Sequence, residues 1–127
     1  MAILKEYIYQ LLRDDATLHT LLSKAETPYG VYFMSPPAKP EFPLITYFVG
    51  PQSGRFPRDI TINITAWGNN FEAVQNRIYE LLHDVVPTGI SDCTPKMLKW
   101  DWAAPELFDD DYKIYYRQDR YILKVLK

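Results

Sequence analysis

Phe42–Val85 reads FPLITYFVGPQSGRFPRDITINITAWGNNFEAVQNRIYELLHDV, and its reading decides the fold. Leu44–Val49 is a strand with apolar and aromatic residues on both faces. Gly50–Arg58 is turn chemistry: Gly-Pro-Gln-Ser-Gly-Arg-Phe-Pro-Arg, nine residues, longer than a tight hairpin needs. Asp59–Trp67 then alternates. Ile60, Ile62, Ile64 and Ala66 face one way and Thr61, Asn63, Thr65 and Trp67 the other, as in a strand with one face on a core. Two strands joined by such a loop are most simply an antiparallel pair. Gly68-Asn69-Asn70 stops the second strand. With Asn69 as N-cap, Glu72 stands at the third helical position, an arrangement like a capping box. The helix that follows carries Phe71, Val74, Ile78, Leu81, Leu82 and Val85 on one stripe. Glu72, Gln75, Asn76, Arg77 and Glu80 take the other faces, and Pro87 and Gly89 end it.

Working outward toward the N-terminus, Leu4, Ile8, Leu11 and Leu12 fall at helical spacing, with Tyr7 beside them. Asp14-Asp15 interrupts, and Asp15 is suited to cap a second short helix whose stripe is Leu18, Leu21 and Leu22. Two helices and one kinked helix both satisfy this pattern. Pro28 and Gly30 end the region. Val31–Met34 reads as a short strand. Pro36, Pro37, Pro40 and Pro43 follow, and a segment so rich in proline forms an extended arm rather than a ladder.

Toward the C-terminus, Lys96–Trp102 alternates, with Leu98, Trp100 and Trp102 on one face and Lys99 and Asp101 on the other. Ala103–Asp111 reads as a loop ending in three aspartates. Tyr112–Leu126 is one long strand or two short ones, with a bulge expected near Gln118-Asp119-Arg120. The expected fold is α+β: a mainly antiparallel sheet of about four to five strands, with a long amphipathic helix and a shorter N-terminal helical segment packed on it. At 127 residues it is one domain, 1–127.

Composition bounds the function. Fourteen basic and sixteen acidic residues give a net charge of −2, which argues against a general phosphate-binding surface. Aromatics make up 15%, and ten of them are Tyr, whose apolar body and polar tip suit half-wet protein contacts. A single cysteine, Cys93, excludes an intramolecular disulfide and fits a reducing compartment. No apolar run approaches the roughly 20 residues that span a bilayer, and the N-terminus turns charged too early for a signal peptide. An intracellular, soluble protein without membrane contact is expected.

The chemistry-bearing residues do not assemble into a catalytic or cofactor motif. Cys93 follows Asp92, which would raise a nearby thiol pKa, and neither His19 nor His83 is forced toward it. His83 and Asp84 point about 100° apart on a helix and chelate poorly together. Asp109-Asp110-Asp111 lacks the ligand spacing and the glycine of a calcium loop and reads as a solvated turn. Glycine-rich phosphate loops and a Gly-x-Ser-x-Gly elbow are absent from the sequence. A sheet that binds RNA would use open-face aromatics. Tyr47, Trp67, Trp100, Trp102, Tyr115 and Tyr121 are available, but the cations around them are scattered. No catalytic residue, cofactor or metal is expected. Arg55 and Arg58 flank Phe56-Pro57 in the central loop, which suits either an ordinary solvated turn or a protein or nucleic-acid contact; the loop Gly50–Asp59 and the arm Pro36–Pro43 are the candidate docking surfaces. The residues singled out are Pro36, Pro37, Pro40, Phe42, Gln52, Arg55, Phe56 and Arg58.

The chain resembles the tail-completion, or tail-terminator, proteins of long-tailed bacteriophages and related prophages. The opening Leu11–Leu22 segment, Val31-Tyr32-Phe33 with Pro36-Pro37, the passage Phe42–Tyr47, the pair Ile60–Trp67 and Phe71–Leu82, and the long final strand carry the likeness. Trp100, Trp102 and Asp109–Asp111 have no counterpart in it. The resemblance implies a non-enzymatic virion-assembly protein, assembled in the host cytoplasm and carried in the virion at the head–tail junction. It implies a ring, usually a hexamer, whose partners are copies of itself, the tail tube protein and the head–tail connector, with DNA passing through the lumen unbound. A slightly acidic chain is compatible with such a conduit, and rings need heterologous interfaces that strand edges or an arm can supply. The alternatives are another phage structural adaptor, for head closure or the baseplate, and a nucleic-acid-binding α+β module.

Overall fold

A computed structural model describes residues 3–22, 30–38, 40–53, 58–91 and 94–126. Among these described residues nine elements follow in chain order: α1 (Leu4–Asp14), α2 (Ala16–Leu21), β1 (Val31–Phe33), β2 (Leu44–Ser53), β3 (Arg58–Trp67), α3 (Phe71–Leu82), β4 (Thr94–Ala103), β5 (Leu107–Asp109) and β6 (Ile114–Leu126). The strands form one six-stranded sheet in the order β1-β2-β3-β6-β4, with β5 also on β6. Only β1–β2 is parallel; every other pair is antiparallel. The α+β expectation therefore holds, with one strand more than expected: Leu107–Asp109, read as loop, pairs with Ile114–Tyr116.

The alternation in β3 translates directly into burial. Ile60, Ile62, Ile64 and Ala66 are all buried, and Thr61, Asn63, Thr65 and Trp67 on the opposite face are half-exposed. Since side chains alternate along a strand, register carries this division across the sheet. Ile45 and Tyr47 of β2, and Tyr121, Leu123 and Val125 of β6, lie on the same face as the isoleucines. All three helices pack there: Leu4, Ile8 and Leu12 of α1, Leu18 of α2, and Phe71, Val74, Ile78 and Leu82 of α3 join one apolar core with the strands. Among the described residues the opposite sheet face carries no helix.

The two N-terminal helices are separate, and Asp15 separates them. Its extended backbone ends α1, and its carboxylate accepts from the Leu18 N–H at 2.9 Å, capping α2 as expected. The same carboxylate takes both Nε and an Nη of Arg77 from α3, at 3.0 and 2.6 Å. One residue thus joins three helices over the sheet, α1 through its backbone and α2 and α3 through its carboxylate.

Several expectations need correction. Asn70, not Asn69, is the N-cap of α3, and it makes no capping side-chain bond. Its Nδ2 instead donates to the Leu21 carbonyl at 3.0 Å, so it is used to dock α2. The helix ends at Leu82, three residues before Val85. Asp84 adopts φ 59°, and Val85 forms an antiparallel bridge to Leu98 along the outer edge of β4. Gln75, assigned to the solvent face, is buried, and its Nε2 donates to the Arg117 carbonyl. Trp100 and Trp102 do not share a face. Trp100 opposes Tyr121, but a register shift between Trp100 and Trp102 sets Trp102 opposite Arg120. The bulge expected in β6 therefore sits in its partner, and β6 pairs with β3 without interruption from Tyr116 to Val125.

Asp15 makes the clearest stability prediction. The Arg77 hydrogen bonds, then the Leu18 N–H, hold its carboxyl below the usual 3.8. A lowered folded-state pKa stabilises above the unfolded value, and the gain is lost as pH falls through the folded one. Asp15→Ala is expected to cost about 1–2 kcal/mol near neutral pH. Asp15→Asn, which keeps a cap acceptor, should cost less. Urea unfolding at successive pH values should show both deficits closing below about pH 4.

Candidate functional site

The central loop is shorter than the sequence suggests. The β2–β3 ladder runs past Val49, absorbs Gly50-Pro51 at a register shift, and resumes at Gln52↔Ile60 and Ser53↔Asp59. Gly50 permits this: a Cβ there would stand 3.2 Å from the Thr61 carbonyl oxygen. Gln52 and Arg58, read as loop, are therefore strand residues, and Arg58 also pairs with Val125 on β6. Arg55 and Phe56 lie outside the described residues, as does Cys93.

The proline arm is partly folded back onto the domain. Pro36, Pro37 and Pro40 are half-buried. Phe42 is not a free tip: it lies against Trp67 and Tyr112 with ring centroids 6.3 and 5.4 Å apart. Trp67 stacks on Tyr116 at 4.4 Å and donates its indole N–H to Thr46 Oγ1 at 2.9 Å. The arm's end, the start of β2 and the β5–β6 turn are thereby joined on the helix-free face. Gly68 is part of this joint, since its φ is 145° and a Cβ would meet Pro43 at 2.7 Å. Of the candidate docking residues, Phe42 is consumed by internal packing, and Pro36, Pro37 and Pro40 remain partly accessible.

The six aromatics considered for a nucleic-acid sheet are divided between the two faces. Tyr47 and Tyr121 are buried under the helices, and burial pushes the Tyr47 hydroxyl up to about 12. Trp67 and Trp102 point away from them. The bare face is lined by Thr61, Asn63, Thr65 and Gln118; Thr65 donates to Gln118, which in turn donates to Asn63. Its cations are paired: Arg120 with Asp101 at 2.7 Å and Lys124 with Asp59 at 3.0 Å. A stacking platform flanked by free cations is not formed by these residues.

Exposed apolar residues gather instead at the β4–β5–β6 end. Trp100, Trp102, Leu107, Phe108, Tyr112 and Tyr115 are each 37–48% exposed. Phe108 and Tyr115 meet edge to face at 4.8 Å across the β5–β6 hairpin, and Asp109 Oδ1 closes its turn by accepting from the N–H groups of Asp111 and Tyr112. The three aspartates thus build a turn, as expected. The sequence signal for β5 was the apolar pair Leu107-Phe108 directly before that turn.

A cleft of about 350 Å³ opens beside this end, between α3 and the strands β4 and β6. Gln75, Asn76 and Tyr79 line one side and Trp100, Ala103 and Arg117 the other. Asp119 lies at its base, 5% exposed. Burial raises the Asp119 carboxyl above the usual 3.8, against the pull of the Trp100 indole N–H and the Arg117 charge. Tyr121 Oη, beneath it, is buried and has no hydrogen-bond partner among the described residues. Reading Gln118-Asp119-Arg120 as a bulge hid this residue, because an in-register β6 turns Asp119 inward.

Among the described residues no group of three or more His, Cys, Asp or Glu could hold a metal ion. Nor is any described helix long and apolar enough to cross a membrane.

No family model matches the chain, and no curated protein matches it by sequence. The fold itself has a full-length counterpart. A chain in the virion of a native gene transfer agent particle superposes with a TM-score of 0.75 at 17% sequence identity, covering 98% of this chain and 96% of that one. The two share their fold from end to end.

Asp119 predicts a pH dependence opposite in sign to that of Asp15. A carboxyl whose folded pKa is raised costs stability above that pKa and nothing below the unfolded one. Asp119→Asn is therefore expected to gain stability relative to the native chain at about pH 7 and to lose that advantage at about pH 3. Paired denaturant titrations at the two pH values check the sign.

Proposed function

We propose that this chain is a structural protein of a phage-like virion. In this reading it acts at the head–tail junction, where it terminates the tail tube and joins it to the head connector as a ring of identical copies. The observation that carries the proposal is the end-to-end fold likeness to a chain of a gene transfer agent virion. The opening helices, the proline-rich arm and the strand–helix centre that resemble tail-completion proteins support the finer assignment.

The surface chemistry supports an assembly role. A sheet covered by helices on one face only leaves a second broad face for contact. The exposed aromatics at the β4–β5–β6 end are of the kind that anchor protein interfaces. The bare sheet face offers uncharged Thr, Asn and Gln side chains and paired cations, which suits a wall past which DNA slides without being held. The chain's contribution is then mechanical and adhesive, without catalysis. The β2–β3 hairpin and the proline arm supply docking surfaces to neighbouring copies or to the tail tube.

Light scattering on a size-exclusion column over a range of concentrations tests the ring. Six copies of 14.9 kDa give about 89 kDa. That species in solution, or co-elution of the chain with purified tail tubes, is the expected result; a chain that stays monomeric and does not co-elute overturns the ring. Arg55→Ala with Phe56→Ala should leave thermal unfolding unchanged and reduce the yield of complete particles. A normal yield would remove the hairpin from the docking surface.

A further inference from the structure

We propose that the cleft between α3 and β4–β6 is a receptor for an arginine side chain presented by another protein chain. This goes beyond the virion assignment and stands on the cleft and its surroundings. The base of the cleft is a carboxylate, Asp119, at 5% exposure, and the buried Tyr121 hydroxyl two residues along β6 has no hydrogen-bond partner among the described residues. The walls are aromatic. Tyr79 stacks on His83 with centroids 4.5 Å apart and meets Trp100 edge to face at 6.4 Å. Trp100 is held twice: its indole N–H hydrogen-bonds the Asp119 carboxylate, and its backbone N–H donates to His83 Nδ1 at 3.0 Å.

A carboxylate below aromatic faces is the arrangement that recognises an organic cation. Guanidinium fits it best. It is planar, stacks on aromatic rings, sheds water more readily than ammonium and presents a fork of N–H donors to a carboxylate. A volume of about 350 Å³ accommodates a side chain and little more. Arg117 on the rim does not fill the role. No ion pair joins it to Asp119, and its Nε donates to the Ala104 carbonyl at 2.9 Å. Its charge limits the site to moderate affinity.

The surroundings argue for a protein as the source of the cation. Tyr79 and Trp100 are 42% and 39% exposed, and Phe108 and Tyr115 extend the apolar surface along the same sheet face. Apolar contacts around one buried polar anchor are the anatomy of an interface hot spot. Asp101 is paired with Arg120 and Arg117 stands on the rim, but beyond them Glu106, Asp109, Asp110 and Asp111 outnumber Lys113, so the approach favours a basic partner.

The test uses the full chain and follows the Trp100 indole N–H by ¹⁵N–¹H NMR. The probes are N-acetyl-arginine amide, its neutral isostere N-acetyl-citrulline amide, and the peptide acetyl-Leu-Arg-Leu amide. The arginine amide is expected to shift the Trp100 signal saturably, with a dissociation constant on the order of millimolar. The citrulline amide should bind at least about tenfold more weakly, and the leucine-flanked peptide several-fold more tightly. Asp119→Asn should abolish the arginine–citrulline difference while keeping a dispersed amide spectrum. Should that variant not fold, Tyr79→Leu, at an exposed helix position, should weaken arginine binding several-fold. Equal responses to arginine and citrulline, or no response, would overturn the site. Equal affinity for the amide and the peptide would assign the cleft to a free small cation and overturn the protein partner.

Discussion

Four side chains on one strand, Ile60, Ile62, Ile64 and Ala66, must be kept from water, and the rest of the molecule is arranged around that requirement. They sit at the centre of a six-stranded sheet, so a single layer must cover several strands at once. Three helices supply it, and burial of their apolar stripes is the main favourable contribution to folding. Short helices gain little from propensity alone and are held by such packing. The layer is then locked by polar contacts chosen for position: Asp15 with Arg77 across three helices, Asn70 on the end of α2, and Gln75 on the β6 backbone.

What local periodicity encodes was legible in the sequence. Strand β3 alternates without exception, and its partner β2, the stripe of α3 and the Asp15 cap followed from one-dimensional spacing. What depends on a partner distant in sequence was not. Gln75 reads as a solvent residue until Arg117 is placed beside it. The bulge near residue 119 was sensed but assigned to the wrong strand, since poor alternation in β6 reflects an inward Asp119, and the register shift lies in β4. Gly50-Pro51 reads as a loop start, yet a sheet can absorb both residues at an irregularity and continue.

The same distinction explains the candidate surfaces. Phe42 looked like an exposed anchor, but its aromatic partners Trp67 and Tyr112 are contributed by β3 and by the turn after β5. Conversely, the exposed Leu107, Phe108 and Tyr115 and the cleft over Asp119 arise only when β4, β5 and β6 are brought side by side. One half of the molecule spends its aromatics on internal joints. The other presents them to solvent, against acidic residues, at the margin of a helix-covered sheet. The proposed assembly role would use that division: a stable core, and an edge whose apolar surface a partner completes.

The most direct test of the virion reading is to locate the chain. Particles produced by the host should be purified, bound by a gold-labelled antibody raised against this protein, and viewed by electron microscopy. The account predicts one cluster of label per particle, at the neck between head and tail. Label spread over the capsid, confined to the distal tail tip, or absent from intact and opened particles would contradict it.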